Sequence, residues 1–313
     1  MRKVGVTSKA FSNNRQLVSL LASKFPDYKL NLTGKAFSED ELIDFLADCD
    51  GCIVALEAIT TRVLKESPNL KFISKYGVGL DNIDIPACND ANVKVGWKAG
   101  VNKSAVAEMT LAFALMLLRN LYVTSNYLRQ GTWVKNGGVS LFGKTVGIVG
   151  LGNIGAELVR ILQPFNCRVI ACDIEDKSSV AKRLGIELVS FDELVCTADV
   201  VTLHVPKSPA THGLIDREVL NKMKSSAIVI NTSRGGVINE TDLINAIEQH
   251  QIAGAALDVY ESEPLEKEAL YSLEQVICTP HIGGNSIEAV IAMGESALEQ
   301  LDSLYNGSPG ITA

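Results

Sequence analysis

The stretch Thr145-Val-Gly-Ile-Val-Gly150-Leu-Gly152-Asn153-Ile154-Gly155-Ala-Glu-Leu-Val-Arg160 decides the fold. It closes a predicted strand and opens a predicted helix. That is the setting G-x-G-x-x-G needs before it means anything, since the pattern alone is weak. Gly150 permits a tight turn, Gly152 lets the backbone approach a pyrophosphate with no Cβ in the way, and Gly155 lets the helix pack close to the strand. Free N–H groups at the start of the helix then face the anion. A plain β-turn-α corner is the alternative. Against it stands Asp173, which ends the next apolar run 18 residues after Gly155, near the ~20 expected of an acidic residue that holds ribose hydroxyls. A carboxylate there repels a 2′-phosphate, and Glu175 and Asp176 add to the repulsion, so NAD is favoured over NADP.

Working outward, Arg168–Asp173, Val200–Val205, Ala227–Asn231 and Gly254–Val259 are near-continuous apolar runs, the mark of strands buried on both faces. Helical stretches separate them. A last strand, Val276–Thr279, precedes a final helix from Ser286 to Tyr305. Upstream, Lys3–Thr7, Gly51–Leu56, Phe72–Ser74 and Val93–Val95 read as strands and Ser12–Lys24, Glu39–Cys49 and Thr61–Glu66 as helices, which again means parallel sheet. Between the two series lies an almost wholly apolar helix that starts near Asn102 or Ser104 and runs to Leu118, extending toward Leu128. Such a helix is expected to be buried on most sides, between domains or in a subunit interface. Two series in 313 residues fit two domains at about 150 residues each.

Apolar residues make up 47% and charged residues 21%, which excludes disordered and collagen-like chains. The net charge of −7, with no run of five or six Lys/Arg residues, argues against a nucleic-acid partner. The N-terminus lacks the apolar core of a secretory signal, and no apolar stretch approaches the ~20 residues that span a bilayer. Neither membrane association nor a targeting segment is expected, which leaves the cytoplasm. Seven scattered cysteines read as reduced thiols. Cys49 and Cys52 form a C-x-x-C with no second half to complete a metal shell, so two buried thiols and no metal are expected.

Polar residues stand at the ends of three buried runs: Asn231-Thr-Ser-Arg234-Gly-Gly236, Asp258-Val-Tyr-Glu-Ser-Glu263-Pro264 and Thr279-Pro-His281-Ile-Gly-Gly284. Ends of parallel strands are where open α/β sheets bind ligands. Arginine offers a planar fork for a carboxylate or carbonyl oxygen, histidine exchanges a proton near neutral pH, and a carboxylate orients and charges that histidine. Taken singly, each has a plainer explanation: a surface turn, a loop corner, a structural histidine.

With these segments in view the sequence resembles the D-isomer-specific 2-hydroxyacid dehydrogenases, through Lys75-Tyr-Gly77-Val-Gly79-Leu-Asp81-Asn82-Ile-Asp84, Gly100-Val-Asn102-x-Ser104-x-Val-Ala-Glu108, the glycine loop, His204-Val205-Pro206 and the three strand-end segments. The resemblance implies an α/β fold of two doubly wound parallel-sheet domains. A Rossmann cofactor domain (101–286) is inserted into a flavodoxin-like substrate domain (1–100 and 287–313). It implies hydride transfer between NAD(H) and a small D-2-hydroxyacid or 2-oxoacid. His281 is the acid-base group, Glu263 tunes it, and Arg234 binds substrate. By position, Gly150, Gly152, Asn153, Ile154 and Gly155 meet the pyrophosphate and Asp173 the adenosine ribose. His204, Val205, Pro206 and Thr211 pass by the cofactor, and Thr232, Ser233, Asp258 and Gly283 lie toward the nicotinamide. Lys75, Tyr76, Gly77, Val78, Gly79 and Ser104 contact substrate. A homodimer joined through the cofactor domains is also implied.

The likeness is greatest to the phosphoglycerate dehydrogenase branch in its short form. After the second strand, however, where that branch usually carries a phosphate-binding arginine, the chain reads Val54-Ala-Leu56-Glu57-Ala-Ile-Thr60-Thr61, with no cation and one anion. Lys75 is a single ammonium in place of guanidinium forks. Substrates thus range from 3-phosphoglycerate to glyoxylate, hydroxypyruvate or a sugar acid. An NAD(H)-sensing, corepressor-like regulator and formate-type oxidation are the alternatives.

Overall fold

The computed structural model describes residues 2–311; Met1, Thr312 and Ala313, at the edges of the expected substrate domain, lie outside the described residues. The chain divides into two compact units, Met1–Asn102 with Gly284–Ala313, and Lys103–Gly283.

The first unit holds β1 (Lys3–Val6), β2 (Asp27–Leu30), β3 (Gly51–Val54), β4 (Phe72–Lys75) and β5 (Lys94–Gly96), all parallel, in the order β2-β1-β3-β4-β5. This is the flavodoxin-like order, with its reversal between β1 and β3. The edge strand β2 is new relative to the sequence reading, because all four of its residues are half-exposed and no apolar run marks it. Ser38 caps the helix Glu39–Leu46 in a reciprocal box with Glu41. The helix Ile287–Tyr305, capped by Ser286, closes the same core. Its Met293, Ala297, Leu298 and Leu301 pack with Val4, Val6, Leu17 and Leu21, and Ser74 Oγ donates to the Ala297 carbonyl at 2.7 Å.

The second unit holds β6 (Thr145–Val149), β7 (Arg168–Cys172), β8 (Glu187–Leu188), β9 (Val200–Leu203), β10 (Ile228–Asn231), β11 (Gly254–Leu257) and β12 (Val276–Cys278), in the order β12-β11-β10-β9-β6-β7-β8 and again parallel. The order reverses between β6 and β9. Alternate strand residues feed two cores. Val146, Ile148, Val200, Ile228 and Ile230 belong to one, and Val149, Val201, Leu203 and Val229 to the other. Both faces are therefore covered, which is why these strands read as continuous apolar runs.

The long apolar helix ends at Leu118 and does not run on unbroken toward Leu128. Lys103–Leu118 buries one face (Val106, Ala107, Thr110, Phe113, Ala114, Leu118), while Leu111, Leu115 and Leu117 are only partly covered. It stops at Asn120, whose φ of 51° is left-handed, and Leu121–Arg129 continues at 65° to it. Among the described residues no single helix is long and apolar enough to cross a membrane. Cys49 and Cys52 are buried free thiols, and burial pushes the Cys49 thiol up to about 11.

Candidate active site

β6 hands the chain to Gly150 at φ 95°. A Cβ there would strike the carbonyl oxygen of His204, the residue after β9, so the loops leaving the two strands at the sheet's reversal point touch. Gly152 caps the helix Asn153–Leu162 from an extended backbone with no side-chain hydrogen bond, and a Cβ on it would meet nothing within 4 Å. The result is a helix N-terminus with uncapped N–H groups beneath open space, which fits a pyrophosphate. Gly155 is needed for a different reason, since its Cβ would run into the Gly150 carbonyl. Asp173, just past β7, accepts the N–H of Leu151 at 2.7 Å and of Glu175 at 2.9 Å. The carboxylate expected at the ribose thus also holds the glycine loop in place.

His204 is enclosed. Its Nε2 lies 3.1 Å from Thr202 Oγ1, Nδ1 is buried with no partner among the described residues, and burial pushes the ring's pKa down to about 3, so the imidazole is neutral. Thr211 closes the loop after Val205: its hydroxyl donates to the Pro206 carbonyl at 2.7 Å and accepts the Ser208 N–H at 2.8 Å.

The polar groups at the ends of β10, β11 and β12 are organised by two buried side chains. Asn231 accepts from the Ser233 N–H and Oγ at 3.0 and 2.7 Å and donates to the Arg234 carbonyl at 2.9 Å, which winds Thr232–Arg234 into a tight turn. Thr232 Oγ1 lies 3.0 Å from Thr110 Oγ1, and Arg234 Nη1 donates to the Ser233 carbonyl at 2.7 Å. Asp258, 1% exposed, grips the segment after β12. Its Oδ1 accepts the Thr279 hydroxyl at 2.6 Å and the Ile282 N–H at 2.8 Å, and its Oδ2 accepts the Gly283 N–H at 2.7 Å. Tyr260 adds a second tie, its hydroxyl 2.8 Å from the Thr279 carbonyl.

Held in this grip, His281 adopts a left-handed φ of 53°, a region uncommon for residues other than glycine, though histidine, asparagine and aspartate enter it more often than the rest. Its Nδ1 lies 2.8 Å from Glu263 Oε2, and the ring is 43% exposed. The Tyr260 N–H steadies the other carboxylate oxygen at 3.2 Å. The hydrogen bond to Glu263 raises the histidine's pKa above its ordinary value; burial opposes this, the charges of Glu263 and Asp258 support it, and Arg234 works against it. Burial would push Glu263 up, but the hydrogen bond and charge of His281, the Tyr260 N–H and the Arg234 guanidinium together hold it below the usual range. Their hydrogen bond commits Nδ1 and leaves Nε2 to exchange a proton.

Lys75–Gly79 lies in the first unit, at the end of β4. Lys75 is 7% exposed, and its Nζ donates to the Ala55 carbonyl and, at 2.6 Å, to Asn82 Oδ1. The Tyr76 ring turns into the core edge-on to Phe11, centroids 6.1 Å apart, and burial pushes its hydroxyl to about 12. The next three residues offer main chain: Gly77 has φ 120°, and the Val78 carbonyl takes the Trp97 indole N–H at 3.0 Å. Ser104 belongs to the second unit, where its hydroxyl donates to Glu157 at 3.3 Å. Sequence reasoning gave Asn231 and Tyr260 no role. The Asn-x-Ser spacing of an Asx-turn was a usable signal for the first; nothing local marks the second.

A parallel sheet with a glycine turn at its reversal point, and an arginine and a glutamate–histidine pair on neighbouring strand ends, defines an α/β dinucleotide-binding protein equipped for acid-base chemistry. Residues 111–283 match the family described as D-isomer specific 2-hydroxyacid dehydrogenase, NAD binding domain. The chain belongs to that family, its second unit is the NAD binding domain, and NAD is its cofactor. It is 36% identical over 279 residues to a D-3-phosphoglycerate dehydrogenase of Synechocystis sp., covering 88% of this chain and 50% of that protein. A glyoxylate reductase of Thermofilum pendens is 37% identical over 279 residues, covering 86% of this chain and 82% of the relative. The chain thus spans about half the length of the phosphoglycerate dehydrogenases it matches. Among solved structures, the NAD-dependent formate dehydrogenase of Staphylococcus aureus in complex with NAD superposes with a TM-score of 0.84 at 27% identity, covering 99% of this chain and 97% of that one.

Proposed function

We propose that the protein is an NAD-dependent oxidoreductase that moves a hydride between NAD(H) and a small D-2-hydroxyacid or its 2-oxoacid. The His281–Glu263 pair, 2.8 Å apart at the ends of adjacent strands, carries the proposal. NAD, when bound, supplies the hydride chemistry. In oxidation His281 Nε2 accepts the hydroxyl proton, and in reduction it returns a proton to the developing alkoxide. Glu263 keeps the imidazolium accessible for that second role. Arg234 orients the reacting oxygen and stabilises its charge, and the main-chain N–H groups of Gly77, Val78 and Gly79 take the substrate carboxylate. Asp173 favours NAD through the ribose, and Asn153 and Ile154 serve the pyrophosphate. Thr232, Ser233, Asp258 and Gly283 serve the nicotinamide side.

A homodimer built through the second unit is supported by apolar side chains left bare in one stretch of chain: Leu121 (52% exposed), Leu128 (57%), Trp133 (77%) and Phe142 (69%). Seven free cysteines, four of them buried, suit a reducing compartment, in keeping with the cytoplasm. The test is oxidation of NADH, and of NADPH in parallel, over a panel of 2-oxoacids with the wild type and His281→Ala. Turnover with NADH that falls by about 10²–10⁴ in the variant is expected. Unchanged turnover in the variant would remove the acid-base assignment, and equal use of NADPH would remove the ribose role of Asp173.

A further inference from the structure

The first unit's sheet has a reversal point of its own, between β1 and β3, and a carboxylate sits beside it. Glu57, in the loop after β3, is only 6% exposed. Its Oε2 accepts the Thr7 hydroxyl at 2.5 Å. That hydroxyl also accepts the Ala55 N–H at 3.3 Å and lies 3.5 Å from the Ile53 carbonyl, much farther than from Glu57. Among the described residues Oε1 accepts no hydrogen bond, which leaves its lone pairs uncommitted. The loop is fixed rather than loose. Asn82 Nδ2 donates to the carbonyls of Ala55 and Glu57 at 3.1 and 2.6 Å, and Lys75 Nζ binds the same Ala55 carbonyl. Asn82 and Lys75 flank the Tyr76–Gly79 segment, so Glu57 is pinned to the loop that the proposed function gives to the substrate carboxylate.

A carboxylate oxygen offers its lone pairs to a hydrogen-bond donor. Fixed at the carboxyl ends of parallel strands, where ligands of such sheets bind, it recognises a hydrogen-bond donor and repels an anion. The ammonium of Lys75 already donates to two oxygens. We propose that Glu57 reads the part of the substrate remote from its carboxylate, through a hydrogen bond from a substrate hydroxyl to Oε1. The preferred substrates are then hydroxylated 2-oxoacids or their reduced forms, and a phosphate ester at the same position is rejected. This rests on the proposed oxidoreductase reading and narrows its substrate class.

The experiment measures kcat/KM for NADH oxidation with hydroxypyruvate, pyruvate and 3-phosphohydroxypyruvate, using the wild type and Glu57→Gln. In the wild type hydroxypyruvate is expected to exceed the phosphate ester by about 10- to 100-fold, the range of one hydrogen bond to a charged group. In Glu57→Gln the ratio of hydroxypyruvate to phosphate ester should fall by about tenfold. A wild type that prefers the phosphate ester overturns the inference and leaves the oxidoreductase reading standing, as does a ratio in the variant within about threefold of the wild-type value. If Glu57→Gln does not fold, the wild-type ratios alone decide. Silence with all three acids and NADH removes the oxidoreductase reading and this inference together.

Discussion

Replacing Gly152 with alanine separates what the glycine loop does for the fold from what it does for the cofactor. At Gly152 the backbone is extended, φ −83° and ψ −154°, a conformation alanine adopts freely. The added Cβ meets no heavy atom within 4 Å. The ligand-free protein should therefore keep its stability to within about 1 kcal/mol, with a small gain from a stiffer unfolded chain. The same methyl group would stand in the path by which a pyrophosphate reaches the N–H groups of Asn153 and Ile154. Losing one charge-assisted hydrogen bond costs about 1.5–3 kcal/mol, or roughly 10- to 150-fold in Kd for NADH. The assay is an NADH fluorescence titration beside thermal melting without ligand. Gly155→Ala is the internal contrast, since its Cβ would drive into the Gly150 carbonyl and should lower the melting temperature before any ligand is added. A Gly152→Ala protein that melts normally and binds NADH within twofold of the wild type would refute a pyrophosphate over this turn.

Two further outcomes are expected. Glu263 raises the pKa of His281, so reduction, which needs the imidazolium, is lost as pH rises through that elevated value; Glu263→Gln should move this loss to lower pH in a kcat/KM profile, and a limb that stays where it was would contradict the tuning role. Light scattering should give twice the chain mass for the wild type and one chain mass for Trp133→Glu with Phe142→Asp, whereas a monomeric wild type would end the dimer proposal.

Much of the fold was legible because the second sheet is covered on both faces, so each strand announces itself as an apolar run between turn residues. Legibility failed where burial failed. The edge strand β2 carries Asp-Tyr-Lys-Leu with no fully buried residue, and β8 is two residues long. The break at Asn120 carries neither proline nor glycine, so a continuous apolar helix was the natural expectation there. At the site, residue types at strand ends marked Arg234, Glu263 and His281 because titratable groups there are conspicuous. The work of Asp258 was hidden. Its three hydrogen bonds reach 21 to 25 residues along the chain, and no local spacing encodes a clamp that exists only once β11 and β12 lie side by side.

The order in which the two units are threaded bears on how the chain can be assembled. Lys103–Gly283 is one unbroken segment, but the first unit is written in two instalments, and the helix Ile287–Tyr305 supplies part of its core. During synthesis the early strands β1 to β5 emerge with one flank bare, and they wait for a helix made some 180 residues later, from Asn102 to Gly284. The nucleotide-binding half can mature on its own schedule, while its companion is completed only once that helix has been made. A shortened transcript ending at Gly283 would thus spare the later half and leave the earlier one open.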